Sequence, residues 1–193
     1  MDARMRAGIR RLGILALAFA LALASAGCPL PAPAPIPRGP GTEGSARWAF
    51  AIARPEIVAF AADAEVRTIS GIMVNLDGRL FANTGVWSFV AWSPTRSTIQ
   101  VTVKADGTAS SSQRTDAAPG PGIQRPLPAN WADSIPVFAA TSGRRDPAAR
   151  LANLVVLNVA SYAQAPNRAV WGISFDAPPN QLVTFDGTYI GPQ

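Results

Sequence analysis

Histidine is absent from this chain of 193 residues, and Cys28 is its only cysteine. Without histidine, the usual Ser-His-Asp and Cys-His nucleophiles cannot form. One cysteine and no histidine also supply too few ligands for an ordinary zinc, copper or iron site, and one cysteine cannot form an internal disulfide. The sequence therefore predicts no catalytic residue, no metal site and no cofactor, and a fold that depends on its hydrophobic core.

Lysine is scarce as well, because Lys104 is the only one among 17 basic residues. The formal net charge is +5, but residues 1–27 hold four arginines and one aspartate, which account for three of these charges. Beyond residue 27 the arginines are scattered, and Arg144-Arg145 is the only adjacent pair. Nucleic-acid binders usually carry a clustered basic face. We therefore predict no nucleic-acid partner.

The first 27 residues have the pattern of an export signal. Arginines at positions 4–11 precede an apolar run at 12–23, and the small residues Ala24-Ser25-Ala26-Gly27 stand before Cys28. The apolar run is shorter than the ~20 residues that a spanning helix needs. We expect the chain to be exported and cleaved between Gly27 and Cys28.

The segment Ser25-Ala26-Gly27-Cys28 resembles the lipobox of bacterial lipoproteins, in which a small residue precedes an obligatory cysteine. The resemblance implies lipidation of Cys28, with a diacylglyceryl group on the sulfur and an acyl chain such as palmitate on the amine. Several chains together give durable membrane attachment. Ser25 departs from the leucine that the family prefers, and an ordinary secretory signal cut after Ala26 is the alternative. Pro29 replaces the aspartate of the family's inner-membrane retention signal, which favours the outer membrane.

Residues 28–44 hold the lipidated cysteine and a proline-rich tether. Six prolines lie between positions 29 and 40, mostly at alternate positions. This spacing favours the extended polyproline II conformation, and the tether is predicted to reach up to about 50 Å from the membrane.

Beyond the tether, the chain contains two similar segments. Val86-Trp87 and Val170-Trp171 each open an alternating apolar run that is followed by a proline-containing turn, a second run and Asp-Gly-Thr. The Asp-Gly-Thr triplets begin at Asp106 and Asp186. The shared order of features predicts a duplication, with units at 45–108 and 131–193 joined by a linker at 109–130.

Each unit is predicted to contain one helix followed by strands. In the first, Pro55 suits the first turn of a helix that ends at Ala64, and the residues upstream, from Arg47, are either a kinked helical extension or an extended approach. Strands follow near 66–74, 86–93 and 98–104. In the second, a helix is predicted at 133–141, with strands near 152–160, 168–176 and 181–185. The expected fold class is α+β: two repeated units, each a helix packed on a small antiparallel sheet. The pattern resembles small exported modules of the PepSY or cystatin-like type, which implies a binding or regulatory role.

The second copy also predicts which way the side chains of the first copy point. Large apolar residues at alternate positions define its inside face: Trp171, Ile173 and Phe175. The corresponding residues of the first copy are Trp87, Phe89 and Ala91. Val90 and Trp92 then point outward, beside the turn that carries Arg96. Tryptophan and arginine often anchor interfaces, so Val90, Trp92 and Arg96 are the predicted partner-binding residues. Packing of the two units through Trp92 is the alternative.

Two further residue sets are less informative. Asp77-Gly78, Asp106-Gly107 and Asp186-Gly187 each lack the alternating oxygen ligands of a calcium loop, and we interpret them as hairpin turns. Asp63 and Glu65 are two residues apart and do not share a helical face, so they do not form an obvious acid–base pair.

The sequence therefore predicts a non-enzymatic, lipid-anchored protein of the bacterial envelope, whose partners are the membrane, through its N-terminal lipid, and an envelope protein. A small-ligand carrier or carboxylate-based enzyme that uses a cleft between the two units is the main alternative. A purely structural envelope protein is another.

Overall fold

The computed structural model describes residues 42–114 and 125–193. The predicted cleavage site at Gly27 and Cys28, and all but the last three residues of the tether, lie outside these residues. Residues 115–124 of the predicted linker lie outside them as well.

The described chain forms two helices and eight strands. The helices are α1 (Ala46–Phe60) and α2 (Ser134–Ala140). The strands before α2 are β1 (Glu65–Asn75), β2 (Val86–Ser93), β3 (Ser97–Lys104) and β4 (Ala109–Arg114). The strands after α2 are β5 (Leu151–Tyr162), β6 (Ala165–Phe175), β7 (Gln181–Thr184) and β8 (Tyr189–Pro192).

All eight strands belong to one antiparallel sheet, in the order β4-β3-β2-β1-β5-β6-β7-β8. The predicted fold class, two repeated units with separate small sheets, is therefore wrong. β1 and β5 pair along most of their length, for example Ile69 opposite Leu157 and Asn75 opposite Leu151. This pairing fuses two four-stranded meanders, which we call the first half (β1–β4) and the second half (β5–β8).

Helix α1 includes the residues before Pro55, the helical one of the two predicted alternatives, and it ends at Phe60 instead of Ala64. The Ser45 side chain accepts a hydrogen bond from Trp48 N at 3.2 Å and caps the helix, a role that serine performs well. Pro55 lies inside the helix instead of in its first turn. Residues spaced three or four apart form the buried face of α1, and the first three of them are alanines. This face consists of Ala46, Ala49, Ala53, Ile57 and Phe60.

The hydrophobic core lies between the helices and one face of the sheet. Trp87 of the first half and Trp171 of the second are both fully buried, with ring centroids 6.3 Å apart in an edge-on arrangement. Trp131, just before α2, packs edge-on against Trp171 at 6.0 Å. One continuous core therefore spans both halves.

Two strands are absent from the sequence-based prediction. β4 was assigned to the linker, and its sequence Ala-Ser-Ser-Ser-Gln-Arg lacks the apolar alternation by which strands are recognised. β8 is only four residues long and ends at Pro192. Both lie at the edges of the sheet, where one side of the backbone needs no strand partner and apolar residues are less needed.

Candidate functional site

The face of the sheet opposite the helices, here called the outer face, is open over the first half. Val86, Ile72 and Leu154 are neighbours on adjacent strands and form an apolar row across β2, β1 and β5. Ile72 and Leu154 are 48% and 43% exposed, so no described residue covers the row. Exposed apolar groups that are contiguous, unlike single ones, often mark a binding surface.

Polar side chains lie beside this row on the same face. Ser88 and Thr102 are opposite each other on β2 and β3, and their hydroxyl oxygens are 3.0 Å apart. Ser70 of β1 lies opposite Ser88. The outer face of the first half therefore combines apolar contact area with hydrogen-bonding groups, the composition of many protein interfaces.

Val90 and Trp92 lie on the outer face, as the alternation in β2 predicted. Trp87, Phe89 and Ala91 are fully buried, and the residues between them are partly exposed. Trp92 lies opposite Glu65 of β1 and Thr98 of β3. Its position is one strand away from the β1–β5 pairing that joins the halves, so that pairing does not require Trp92.

The cation beside Trp92 is Arg67. A register shift between Val66 and Thr68 interrupts the regular pairing of β1 with β2 at this point. The guanidinium carbon of Arg67 lies 5.2 Å from the centroid of the Trp92 ring, within cation–π range. Arg67 Nη2 also donates to Glu65 Oε2 at 2.7 Å, and the arginine side chain is only 8% exposed. This ion pair holds the guanidinium against the indole.

The structure places the guanidinium of Arg96 at a different position. Its Nη1 donates to Phe60 O at 2.6 Å, and its guanidinium carbon lies 5.2 Å from the Phe60 ring centroid. Phe60 is the last residue of α1, where the free carbonyls and the negative end of the helix dipole favour a cation. Arg96 therefore caps α1, and the structure brings together Val90, Trp92 and Arg67 on the outer face.

In the second half, Leu154 of β5 stays exposed on the outer face, whereas the β5–β6 hairpin covers that face around Gly172 of β6. A Cβ built on Gly172 would lie 3.1 Å from the Tyr162 hydroxyl, which places the tyrosine over this glycine. At the tip, Gln164 Nε2 donates to Pro192 O on β8 at 3.2 Å. Leu182, opposite Gly172 on β7, is fully buried.

The Asp-Gly pairs form turns, as predicted. Gly78, Gly107 and Gly187 all adopt positive φ, which glycine tolerates without strain. The backbone and side-chain hydrogen bonds from Thr108 lower the pKa of Asp106, and the hydroxyl of Thr184 lowers that of Asp186. These carboxylates are therefore engaged within their own turns.

Asp63 and Glu65 each contact a neighbouring side chain. Asp63 accepts a hydrogen bond from Ser93 Oγ at 2.7 Å, and Glu65 pairs with Arg67. In the described ranges, no group of three or more acidic or cysteine residues is close enough to hold a metal ion. The cleft predicted between two units is replaced, along β1 and β5, by continuous sheet.

Four residues that shape the outer face were not predicted from the sequence: Arg67, Ile72, Leu154 and Tyr162. The first three depend on the β1 bulge and on the β1–β5 pairing, neither of which has a local sequence signal. Tyr162 ends β5, in which the alternation of apolar residues weakens after Val159. That change is the one sequence signal that the end of the strand differs from the rest.

None of the helices in the described ranges is both long and apolar enough to cross a membrane. Comparisons of the chain with known protein families, curated proteins and solved structures found no match.

Proposed function

We propose that this chain is a non-enzymatic, lipid-anchored protein of the bacterial envelope that binds an envelope protein through the outer face of its first half. The observation that carries the proposal is the surface formed by the apolar row, Val90 and Trp92, with the largely buried Arg67 against the indole of Trp92. We call these residues the open patch.

The chemistry of the open patch favours a protein partner. Tryptophan and arginine dominate the energetics of many protein interfaces, because both bury a large area and retain directional polar contacts. The largely buried Arg67, paired with Glu65, holds the Trp92 ring in place before binding, which reduces the entropy lost on association. The neighbouring hydroxyls supply hydrogen-bonding groups at the edge of the apolar area.

The membrane anchor in this proposal depends on the sequence pattern that ends at Cys28. Lipid on Cys28 would hold the domain near the membrane and raise its effective concentration toward partners there. Metabolic labelling with palmitate tests this part separately. The native chain should take up label and the Cys28→Ala chain should not, and label retained by Cys28→Ala would contradict the anchor.

The partner surface is tested by site-specific photocross-linking in intact cells. A cross-linking amino acid at Ser88, beside the open patch, should capture a discrete protein. The matched control is Val58, which is 48% exposed on α1, away from the outer face. Capture from Ser88 should fall strongly when Trp92→Ser is added at equal abundance. Equal capture from Ser88 and Val58, or capture unaffected by Trp92→Ser, would contradict the proposal.

A further inference from the structure

A cavity of about 400 Å³ lies beside α1, and its lining shares no residue with the open patch. It lies between α1, the first residues of β1 and the segment at 126–131. Its apolar lining includes Phe50, Val66, Leu127 and Trp131. The volume is in the range of small-molecule sites, which are typically apolar with a few placed polar groups.

The aromatic wall of the cavity is rigidly built. Phe50 and Trp131 pack edge-on with ring centroids 5.8 Å apart, and Phe50 also packs on Phe89 of the core at 5.4 Å. Leu127 N donates to Val66 O at 2.8 Å, which ties the 126–131 segment to β1. Ring packing and a backbone hydrogen bond therefore hold the walls of the cavity together.

Arg47 stabilises the same wall and contributes positive charge. Its guanidinium carbon lies 3.7 Å from the Trp131 ring centroid, and Nε donates to Trp131 O at 3.1 Å. Nη2 donates to Ala129 O at 3.1 Å. Burial lowers the pKa of Arg47 and nearby Asp133 opposes that shift, but an arginine remains charged at neutral pH.

Arg54 is the second cation of the cavity. It lies two turns along α1 from Arg47, and in the described part of the chain its guanidinium has no hydrogen bond or ion pair. Glu65 is the single carboxylate in the lining, and its charge is already paired with Arg67. The cavity therefore has an excess of positive charge beside an aromatic wall.

We infer that this cavity binds an amphiphilic organic anion, a molecule with a carboxylate or sulfonate group and a compact apolar body. The anionic group would pair with Arg54, whose planar guanidinium can donate two parallel hydrogen bonds. The apolar body would pack against Phe50, Leu127 and Trp131. No residue of the open patch lines this site, although Glu65 of its lining pairs with Arg67 of the patch.

Two fluorescent probes with the same ring system separate charge from hydrophobicity. Anilinonaphthalene sulfonate carries an anionic group, and N-phenyl-1-naphthylamine is its neutral counterpart. Titration of the full chain should show saturable sulfonate binding. Arg54→Gln should raise the sulfonate Kd about tenfold, the effect of one lost charge-assisted hydrogen bond, and change the neutral probe's Kd less than about twofold.

Two further variants locate the binding. Ala129 is exposed at the cavity, so Ala129→Trp should fill the space and weaken both probes without disturbing the core. Arg168→Gln removes the same charge from an exposed position on β6 and should change neither Kd. The inference is overturned if Arg54→Gln leaves sulfonate binding unchanged, if Arg168→Gln weakens it equally, or if Ala129→Trp affects neither probe.

Discussion

The two halves of the sheet have the same strand order. The loop that joins the first two strands of each half, however, packs on a different face of the sheet. In the first half, residues 76–85 join β1 to β2 and fold toward the helices. In the second half, β5 and β6 are joined by only two residues, and the hairpin folds over the outer face. The difference decides which part of the outer face remains open.

The first connection is held by the helix ends. Leu80 N donates to Gly44 O at 2.9 Å, and Leu80 is 6% exposed in the core. Ser134 Oγ donates to Gly78 O at 2.6 Å and accepts from Ala46 N at 2.9 Å, so one hydroxyl links this connection to α1 and α2. Gly44, the last residue of the predicted tether, is thus part of the folded domain.

The second connection instead shields its own sheet. β5 and β6 are 12 and 11 residues long, and a register shift between Ala160 and Tyr162 interrupts their pairing near the tip. Bulges increase strand twist, and the hairpin places Tyr162 over Gly172. A repeated topology can therefore present one open and one covered surface, according to the direction of a single connection.

Among the variants that test this difference between the halves, Gly78→Ala is expected to lower the free energy of unfolding most. Gly78 has φ +84°, and an added Cβ would lie 2.6 Å from the backbone oxygen of Ser134. We expect a loss of about 3 kcal/mol in the free energy of unfolding, measured by urea denaturation, because both backbone strain and a clash are introduced. Gly143→Ala is the matched control.

Gly143 has φ +75°, but an added Cβ there would meet no atom within 4 Å. Its replacement by alanine should cost about 1 kcal/mol, from the backbone strain alone. Equal losses for the two variants would show that contact with α2 does not hold the first connection in place.

A smaller effect is expected when the cover of the second half is removed. Tyr162→Ala should reduce the free energy of unfolding by about 1–2 kcal/mol, because the half-buried ring no longer shields Leu182. Backbone amides of β7 should exchange with deuterium faster. Leu154→Ala, at an exposed position on the open side, should cost no more than about 0.5 kcal/mol. A Leu154→Ala loss as large as that of Tyr162→Ala would contradict the distinction between open and covered faces.

The smallest change in the free energy of unfolding is expected from Asp176, at the other end of the β5–β6 pair. Asp176 Oδ1 accepts hydrogen bonds from the backbone N–H groups of Arg150 at 2.9 Å and Leu151 at 3.3 Å, and these bonds lower its pKa. Because the folded pKa is lowered, the unfolded chain binds the proton first as the pH falls. The contribution of Asp176 is therefore complete above the unfolded pKa of about 3.9 and is lost as the pH falls through the folded value.

Urea unfolding of the native chain and Asp176→Asn at pH 7, 5 and 3 measures this contribution. The native chain should be more stable at pH 7 and pH 5, and the difference should shrink at pH 3. A difference that does not change with pH would exclude the charged form of Asp176 as its source.

Much of the local structure could be predicted from the sequence. Strand β2 was predicted with its observed bounds, and its inward and outward residues were assigned correctly, because alternation depends only on neighbouring positions. Helix α2 was predicted one residue longer at each end, and those residues are its caps, Asp133 and Thr141. For the residues before Pro55 the sequence leaves a helical extension and an extended approach open, because proline is common in the first turn of a helix.

The candidate site was predictable only in part. Trp92 and Val90 follow from the pattern of β2, but the neighbours of Trp92 do not. Arg96 is four residues from Trp92 in sequence, whereas Arg67, 25 residues earlier, supplies the cation over its ring. Sequence proximity points to Arg96, but cross-strand register decides which side chains meet on a sheet and brings Arg67 to the Trp92 ring.

The sequence by itself determined the pattern of buried and exposed side chains within β2 and the Asp-Gly turns, since these depend on local geometry and side-chain chemistry. Only the tertiary structure decided that β1 pairs with β5, that α1 and α2 share one core, and that one outer face is open and the other covered. Strand pairing uses backbone groups that nearly all residues possess, so the sequence carries little signal for which strands meet. The direction of each connection is then chosen by contacts between residues far apart in the chain, such as Ser134 with Gly78 and Gln164 with Pro192.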